Sequence, residues 1–150
     1  MAHVTRVVPH TCETVFAALS DPHTYPEWLV GARAMRHVED GWPRVGTRFH
    51  HRVGLLGPLT VDDHGESLAV DGRNRLAMAV RARPLGSARV IFSVSPVPAV
   101  GGTRSSRIDF EEEVIGLMAP LMPVLDPLIK ARNERSMDAF ARYLDAAHPA

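Results

Sequence analysis

The middle of the chain is divided into short β-prone runs by glycine and proline, and this pattern constrains the fold most. Six runs can be separated, at residues 34–39, 47–53, 59–67, 75–83, 88–95 and 104–114. The breaks between them contain Gly41/Pro43, Gly57/Pro58, Gly72, Pro84/Gly86 and Gly101/Gly102. Breaks this short leave no room for crossover helices, so the runs predict an antiparallel meander.

The two ends of the chain supply the remaining elements. Residues 4–8 are β-prone and predict a seventh strand, followed by a short helix over 13–19 with Thr11 as its N-cap. Asp21 and Pro22 open a second short helix that reaches Gly31. Residues 119–123 predict an extra helical turn with a kink, because three prolines lie near it in 120–127.

A long amphipathic helix is predicted at the C-terminal end, with Asp126 as its N-cap and Pro127 at its first position. It continues to Ala147 and is therefore roughly 30 Å long. Its apolar stripe consists of Leu125, Leu128, Ile129, Phe140 and Tyr143. A sheet with one apolar face needs a cover, and this helix is the long element available for it. The sequence therefore predicts one α+β domain over residues 1–150, with six to seven antiparallel strands.

Composition limits the classes of function. The chain has 17 basic and 17 acidic residues, and this balance argues against nucleic-acid binding. Its single cysteine, Cys12, excludes an internal disulfide. The longest uncharged apolar stretch, residues 114–125, is shorter than the ~20 residues of a transmembrane helix. With no signal-peptide pattern at the start, we expect a cytoplasmic protein, monomeric or homodimeric.

Two local motifs resemble those of the START-like superfamily, also described as the polyketide cyclase/dehydrase and lipid-transport group. The first is VFAALSDP at residues 15–22, followed by YPEW at 25–28, and the second is VGTRF at 45–49. The resemblance covers nearly the whole chain. It implies a helix-grip fold, in which a curved antiparallel sheet wraps around the long C-terminal helix and encloses a ligand. Members of the superfamily include lipid carriers, polyketide cyclases, hormone receptors and chaperone activators.

Three polar side chains are candidates for chemistry in such a cavity. Arg132 and Ser136 fall within the apolar stripe of the helix, where an unpaired guanidinium is costly. Glu112 shares its strand phase with Phe110 and is a natural partner for Arg132, or an acid/base group. His51 shares its phase with Phe49, so it points inward as a general base or as a satisfied interior histidine. Each of these side chains also has a purely structural interpretation, as an ion pair, a solvated group or a core residue.

A metal site is not expected. Asp62, Asp63 and His64 are adjacent, but neighbouring strand residues point to opposite faces, and two ligands on one face are too few. No cofactor motif occurs either, so we expect neither metal nor cofactor.

These observations leave three hypotheses for function. The first is a carrier or sensor that holds a lipid, quinone or polyketide-like molecule in an internal cavity. The second is a polyketide cyclase or dehydratase with His51 or Glu112 as base and Arg132 stabilising an enolate. The third is a protein-interaction module with a filled interior and an exposed apolar patch. The residues expected to contact a ligand are Trp28, Phe49, His51, Met78, Phe92, Phe110, Glu112, Met122, Ile129, Arg132, Ser136 and Phe140.

Overall fold

A computed structural model describes residues 1–56, 58–83 and 86–149. Its seven strands are β1 (Ala2–Val8), β2 (Ala32–Val38), β3 (Arg48–Leu56), β4 (Leu59–Asp71), β5 (Arg75–Arg81), β6 (Ser87–Val100) and β7 (Thr103–Ile115). They form one antiparallel sheet in the order β1-β7-β6-β5-β4-β3-β2. The expected meander and the seventh strand are confirmed. The breaks expected at Gly57 and Pro84 lie outside the described residues.

Two short helices follow the first strand, as expected. Helix α1 (Cys12–Leu19) begins after Thr11, whose side chain accepts a hydrogen bond from the Thr14 N–H at 3.2 Å. Asp21 caps a 3-10 turn, Pro22–Thr24, which leads directly into α2 (Tyr25–Trp28). A polar side chain at each cap satisfies a backbone N–H that has no partner within the helix.

The long C-terminal helix begins earlier than its sequence signals suggest. Helix α3 covers Met122–Ala147 and follows a 3-10 segment, Gly116–Leu121, so Pro127 lies inside it. The prediction that Asp126 is the N-cap is therefore wrong. The Asp126 carboxylate lies 3.1 Å from the amino group of Met1 instead. Pro123 occupies the first turn, where no intrahelical N–H bond is required, so the helix starts there without penalty.

The buried face of α3 is also rotated relative to the predicted stripe. Leu128 is 67% exposed, whereas Asn133, Met137 and Leu144 are almost completely buried. Polar residues occur within the buried face itself. Ser136 was expected there, whereas the polarity of Asn133 obscured the phase of this face in the sequence. The helix packs on β1, β7 and α2.

Strand β6 extends beyond its predicted end at Ser95, through Pro96 and Pro98 to Val100. Pairing with β5 stops near Ser93, and the next residue, Val94, donates its N–H to the Asn74 carbonyl. Pro96 and Pro98 share the phase of Val94, so the N–H groups they lack would point to the side with no neighbouring strand. Proline is tolerated at such an edge position.

The core lies between the sheet and α3 and is rich in aromatic residues. Trp28 packs against Phe140 and Phe92, with ring centroids 4.6 Å and 6.0 Å apart. Tyr25 packs edge-on against Phe49 at 5.7 Å. These contacts fix α2 against both the helix and the sheet, and they close one end of the interior.

Candidate functional site

A cavity of about 380 Å³ lies between the sheet and the first half of α3, next to the aromatic core, and it is partly open to solvent. Its walls are mainly apolar and come from every strand except β1 and β4, and from the segments around α2 and α3. The lining residues are Tyr25, Leu29, Val30, Gly31, Ala32, Met35, Phe49, His51, Val53, Gly54, Met78, Val80, Ala82, Gly86, Ser87, Ala88, Val90, Phe92, Phe110, Glu112, Val114, Met118, Leu125, Ile129 and Arg132.

Eight of the twelve expected contact residues line this cavity. They are Phe49, His51, Met78, Phe92, Phe110, Glu112, Ile129 and Arg132. Alternation predicted this for the residues on β3 and β7, because a strand with one buried face directs every second side chain inward, whereas Ile129 and Arg132 were placed by helical spacing.

The other four expected residues do not line the cavity. Trp28 and Phe140 pack on each other in the core. Ser136 is fully buried and accepts a hydrogen bond from the Val30 N–H at 3.0 Å. Met122 lies beside β7, with its sulfur 3.2 Å from the Val114 nitrogen. These four residues therefore support the cavity wall and are not part of its surface.

Glu112 and Arg132 meet at the cavity, as their phases suggested. Arg132 Nη2 donates to the two carboxylate oxygens at 2.9 Å and 2.7 Å, and Asn133 Nδ2 donates to Oε1 at 3.1 Å. The Glu112 side chain is only 9% exposed, whereas the Arg132 side chain is 42% exposed. The carboxylate is therefore held by three hydrogen bonds, and the guanidinium reaches water at the cavity rim.

His51 occupies a different part of the cavity wall. Its Nε2 lies 2.8 Å from the Arg81 carbonyl oxygen, and its ring packs edge-on against Phe49. Burial lowers the pKa of His51, although the hydrogen bond to the Arg81 carbonyl and the nearby Asp63 charge oppose this. The side chain is therefore an uncharged imidazole at neutral pH.

A buried carboxylate, Asp63, binds Arg83 just after the end of β5. Arg83 donates to Asp63 from its backbone N–H, Nε and Nη2 at 2.9–3.1 Å, and the His64 N–H donates at 3.0 Å. Burial alone would raise the pKa of Asp63, but these hydrogen bonds outweigh it and hold that pKa well below its usual range. Sequence reasoning missed this pair, although Asp63 shares the buried phase of Gly65 and Ser67.

The described part of the chain contains no group of three or more His, Cys, Asp or Glu side chains placed to hold a metal ion. The Asp62 carboxylate accepts two hydrogen bonds from the Arg52 guanidinium, at 2.9 Å and 3.3 Å, on the exposed side of the sheet. None of the described helices is long and apolar enough to cross a membrane.

Many solved structures match this chain, and the three described here have low sequence identity to it. Protein NE0264 from Nitrosomonas europaea is 12% identical with a TM-score of 0.69, covering 97% of this chain and 94% of its own. TTHA0849 from Thermus thermophilus is 15% identical with a TM-score of 0.62, covering 98% of each chain. Ara h 8.0201 is 14% identical with a TM-score of 0.66, covering 96% of each chain.

These similarities confirm the helix-grip fold.

A comparison with curated proteins found no match. The family model described as "polyketide cyclase / dehydrase and lipid transport" matches residues 1–145. That match spans both motifs, all seven strands and nearly all of α3. The chain therefore belongs to the polyketide cyclase/dehydrase and lipid transport family.

Proposed function

We propose that the protein binds an apolar small molecule in the cavity between the sheet and α3, as a carrier or sensor. The observation that carries this proposal is the cavity itself, about 380 Å³ in volume and lined mainly by aliphatic and aromatic side chains. Ligand sites in proteins are typically concavities of roughly 300–1,000 Å³ with a few polar groups. Membership of a family that includes lipid transport supports the same function.

The geometry favours binding over the cyclase or dehydratase alternative. Glu112 already accepts three hydrogen bonds, and Arg132 is neutralised by Glu112. Most of the lone pairs of this carboxylate are therefore engaged, and the charge that would stabilise a developing enolate is already balanced by Glu112. His51 is the candidate that has no ion-pair partner of this kind on its ring among the described residues.

The interaction-module alternative required a filled interior and an exposed apolar patch. An exposed apolar stripe exists, formed by Leu117, Leu121, Val124 and Leu128. The interior next to it is not filled, however, because Met118, Leu125 and Ile129 on the neighbouring face of the same segment line the cavity. The cavity therefore favours the small-molecule proposal.

The test is a titration of the purified protein with the apolar fluorophore N-phenyl-1-naphthylamine, together with native mass spectrometry for a co-purified ligand. Val80 lines the cavity, so Val80→Phe should reduce its volume and weaken probe binding at least tenfold. Val7→Phe adds the same bulk at an exposed position of β1 and serves as the matched control. Probe binding that is absent in the wild type, or unchanged in Val80→Phe, would contradict the proposal.

A further inference from the structure

The His51 ring is held in a single protonation pattern by its hydrogen bond. Its Nε2 lies 2.8 Å from the carbonyl oxygen of Arg81. A carbonyl oxygen can only accept a hydrogen bond, so Nε2 carries the proton and donates it. In an uncharged imidazole the second nitrogen, Nδ1, then holds a lone pair and can only accept.

Burial lowers the pKa of His51, so the ring is uncharged at neutral pH. The charged or titratable groups that act on the ring include Asp63, Arg36, His64 and Asp62. The Arg36 side chain donates a hydrogen bond to the backbone carbonyl of His51, and the Asp63 carboxylate accepts hydrogen bonds from Arg83. Among the described residues, none of these side chains makes a hydrogen bond to Nδ1.

The second nitrogen has no donor among the described residues, and the ring lies in the cavity wall. Within residues 1–56, 58–83 and 86–149, no group donates a hydrogen bond to His51 Nδ1. His51 is only 3% exposed and its side chain lines the cavity, so the cavity is the space from which a bound molecule can approach the ring.

We infer that the molecule bound in this cavity is apolar with one hydroxyl group, an alcohol or phenol, whose O–H donates to His51 Nδ1. This inference rests on the proposed function and names the chemistry of its ligand. An ether, ketone or carboxylate has no donor hydrogen and would place an oxygen lone pair against the lone pair of Nδ1. A buried acceptor left without a donor is unfavourable, so the site discriminates against such molecules.

The test uses two probes of nearly equal size and apolarity, 2-naphthol and 2-methoxynaphthalene. Methylation of the oxygen removes the donor and leaves the ring system unchanged. A hydrogen bond contributes about 0.5–1.5 kcal/mol net, so the wild-type protein should bind 2-naphthol roughly three- to tenfold more tightly, measured by calorimetry.

Two variants test whether the preference for 2-naphthol comes from His51. His51→Phe removes the acceptor and should abolish the preference by weakening 2-naphthol binding only. His50→Phe is the matched control, because His50 lies on the opposite face of β3 and contacts His37 and Glu39. This control should keep the wild-type preference. A preference that survives in His51→Phe would overturn the inference.

The wild-type protein gives an answer even if His51→Phe does not fold. Long-range ¹H–¹⁵N correlation spectra should show His51 Nδ1 as the unprotonated nitrogen, with a signal that moves on addition of 2-naphthol and not of 2-methoxynaphthalene. Equal affinity for the two probes, or a protonated Nδ1, would overturn this inference and leave the proposed function standing. Failure of both probes to bind would contradict the proposed function as well.

Discussion

At the scale of single residues, the Glu112–Arg132 pair is asymmetric, and its two halves should respond differently to mutation. Glu112 is buried, whereas Arg132 reaches solvent. Removing Arg132 leaves a buried carboxylate with only Asn133 as a side-chain donor, and a stranded buried charge is costly. Removing Glu112 leaves a guanidinium that water can solvate.

We therefore expect Arg132→Met to lower the free energy of unfolding by about 2–3 kcal/mol and Glu112→Gln by about 1 kcal/mol. Urea denaturation of the two variants and of the double variant measures this. Equal losses would show that the carboxylate is more hydrated than the structure indicates.

His51 makes stability depend on pH. Burial lowers its pKa in the folded state, so below about pH 6.5 the unfolded chain binds a proton that the folded chain excludes. The free energy of unfolding should therefore rise with pH from about pH 5 to 7. His64 contributes in the same direction, because burial also lowers its pKa.

The measurement is a series of urea melts over this pH range for the wild type and for His51→Phe. The variant should keep part of the slope, from His64, and lose the rest. An identical slope in the two proteins would mean that His51 is hydrated and titrates at its ordinary pKa when folded.

At the scale of elements, the pairing of β3 with β4 depends on a missing side chain. Gly65 lies opposite Phe49, and a Cβ built on Gly65 would lie 2.2 Å from Phe49 Cζ. The Phe49 ring therefore occupies the space over the glycine, next to Tyr25, Trp42 and His51. Any side chain at position 65 must displace this ring from the cavity wall.

We expect Gly65→Ala to cost about 2–3 kcal/mol, because the surrounding aromatic rings leave Phe49 no room to move. Gly54→Ala on β3 is a useful control, since the atoms nearest to its Cβ would be those of the Arg33 guanidinium, the far end of a flexible side chain and not a packed ring. That change should stay within about 0.5 kcal/mol of the wild type in thermal melts. If the two variants have the same melting temperature, the position of the Phe49 ring does not depend on a glycine at residue 65.

Sequence patterns predicted the elements better than they predicted the contacts between them. Alternation identified the inward faces of β3 and β7, because a strand has a fixed period of two, and so placed His51 and Glu112 in the cavity wall. The face of α3 was less predictable, because Asn133 and Ser136 are buried for their hydrogen bonds and not for apolarity. The Asp63–Arg83 bond could not be predicted, because it joins residues 20 positions apart on different elements and no sequence period relates them.

At the scale of the whole molecule, the sheet is completed by pairing its first strand with its last. Val4 of β1 lies opposite Phe110 of β7, and the intervening strands are joined by local hairpins. Contacts between residues far apart in sequence form at a high entropic cost, so β1 should join the sheet late in folding.

Val4→Ala tests this order. Val4 is 6% exposed, and its truncation should destabilise the protein by about 1–2 kcal/mol. If β1 pairs after the transition state, stopped-flow kinetics will show faster unfolding and an almost unchanged folding rate. A folding rate that falls by the full amount of the destabilisation would place β1 in the folding nucleus.

The same pairing has a consequence for synthesis in the cell. Translation delivers β1 before the other strands, and its hydrogen-bonding partner, Thr103–Ile115, leaves the ribosome only after some hundred more residues. For that interval the nascent chain carries an unpaired strand edge, which is the kind of surface that other chains and chaperones bind. The helix that covers the cavity is made later still, so neither a ligand nor the α3 face can shield the growing sheet until α3 has itself been synthesised.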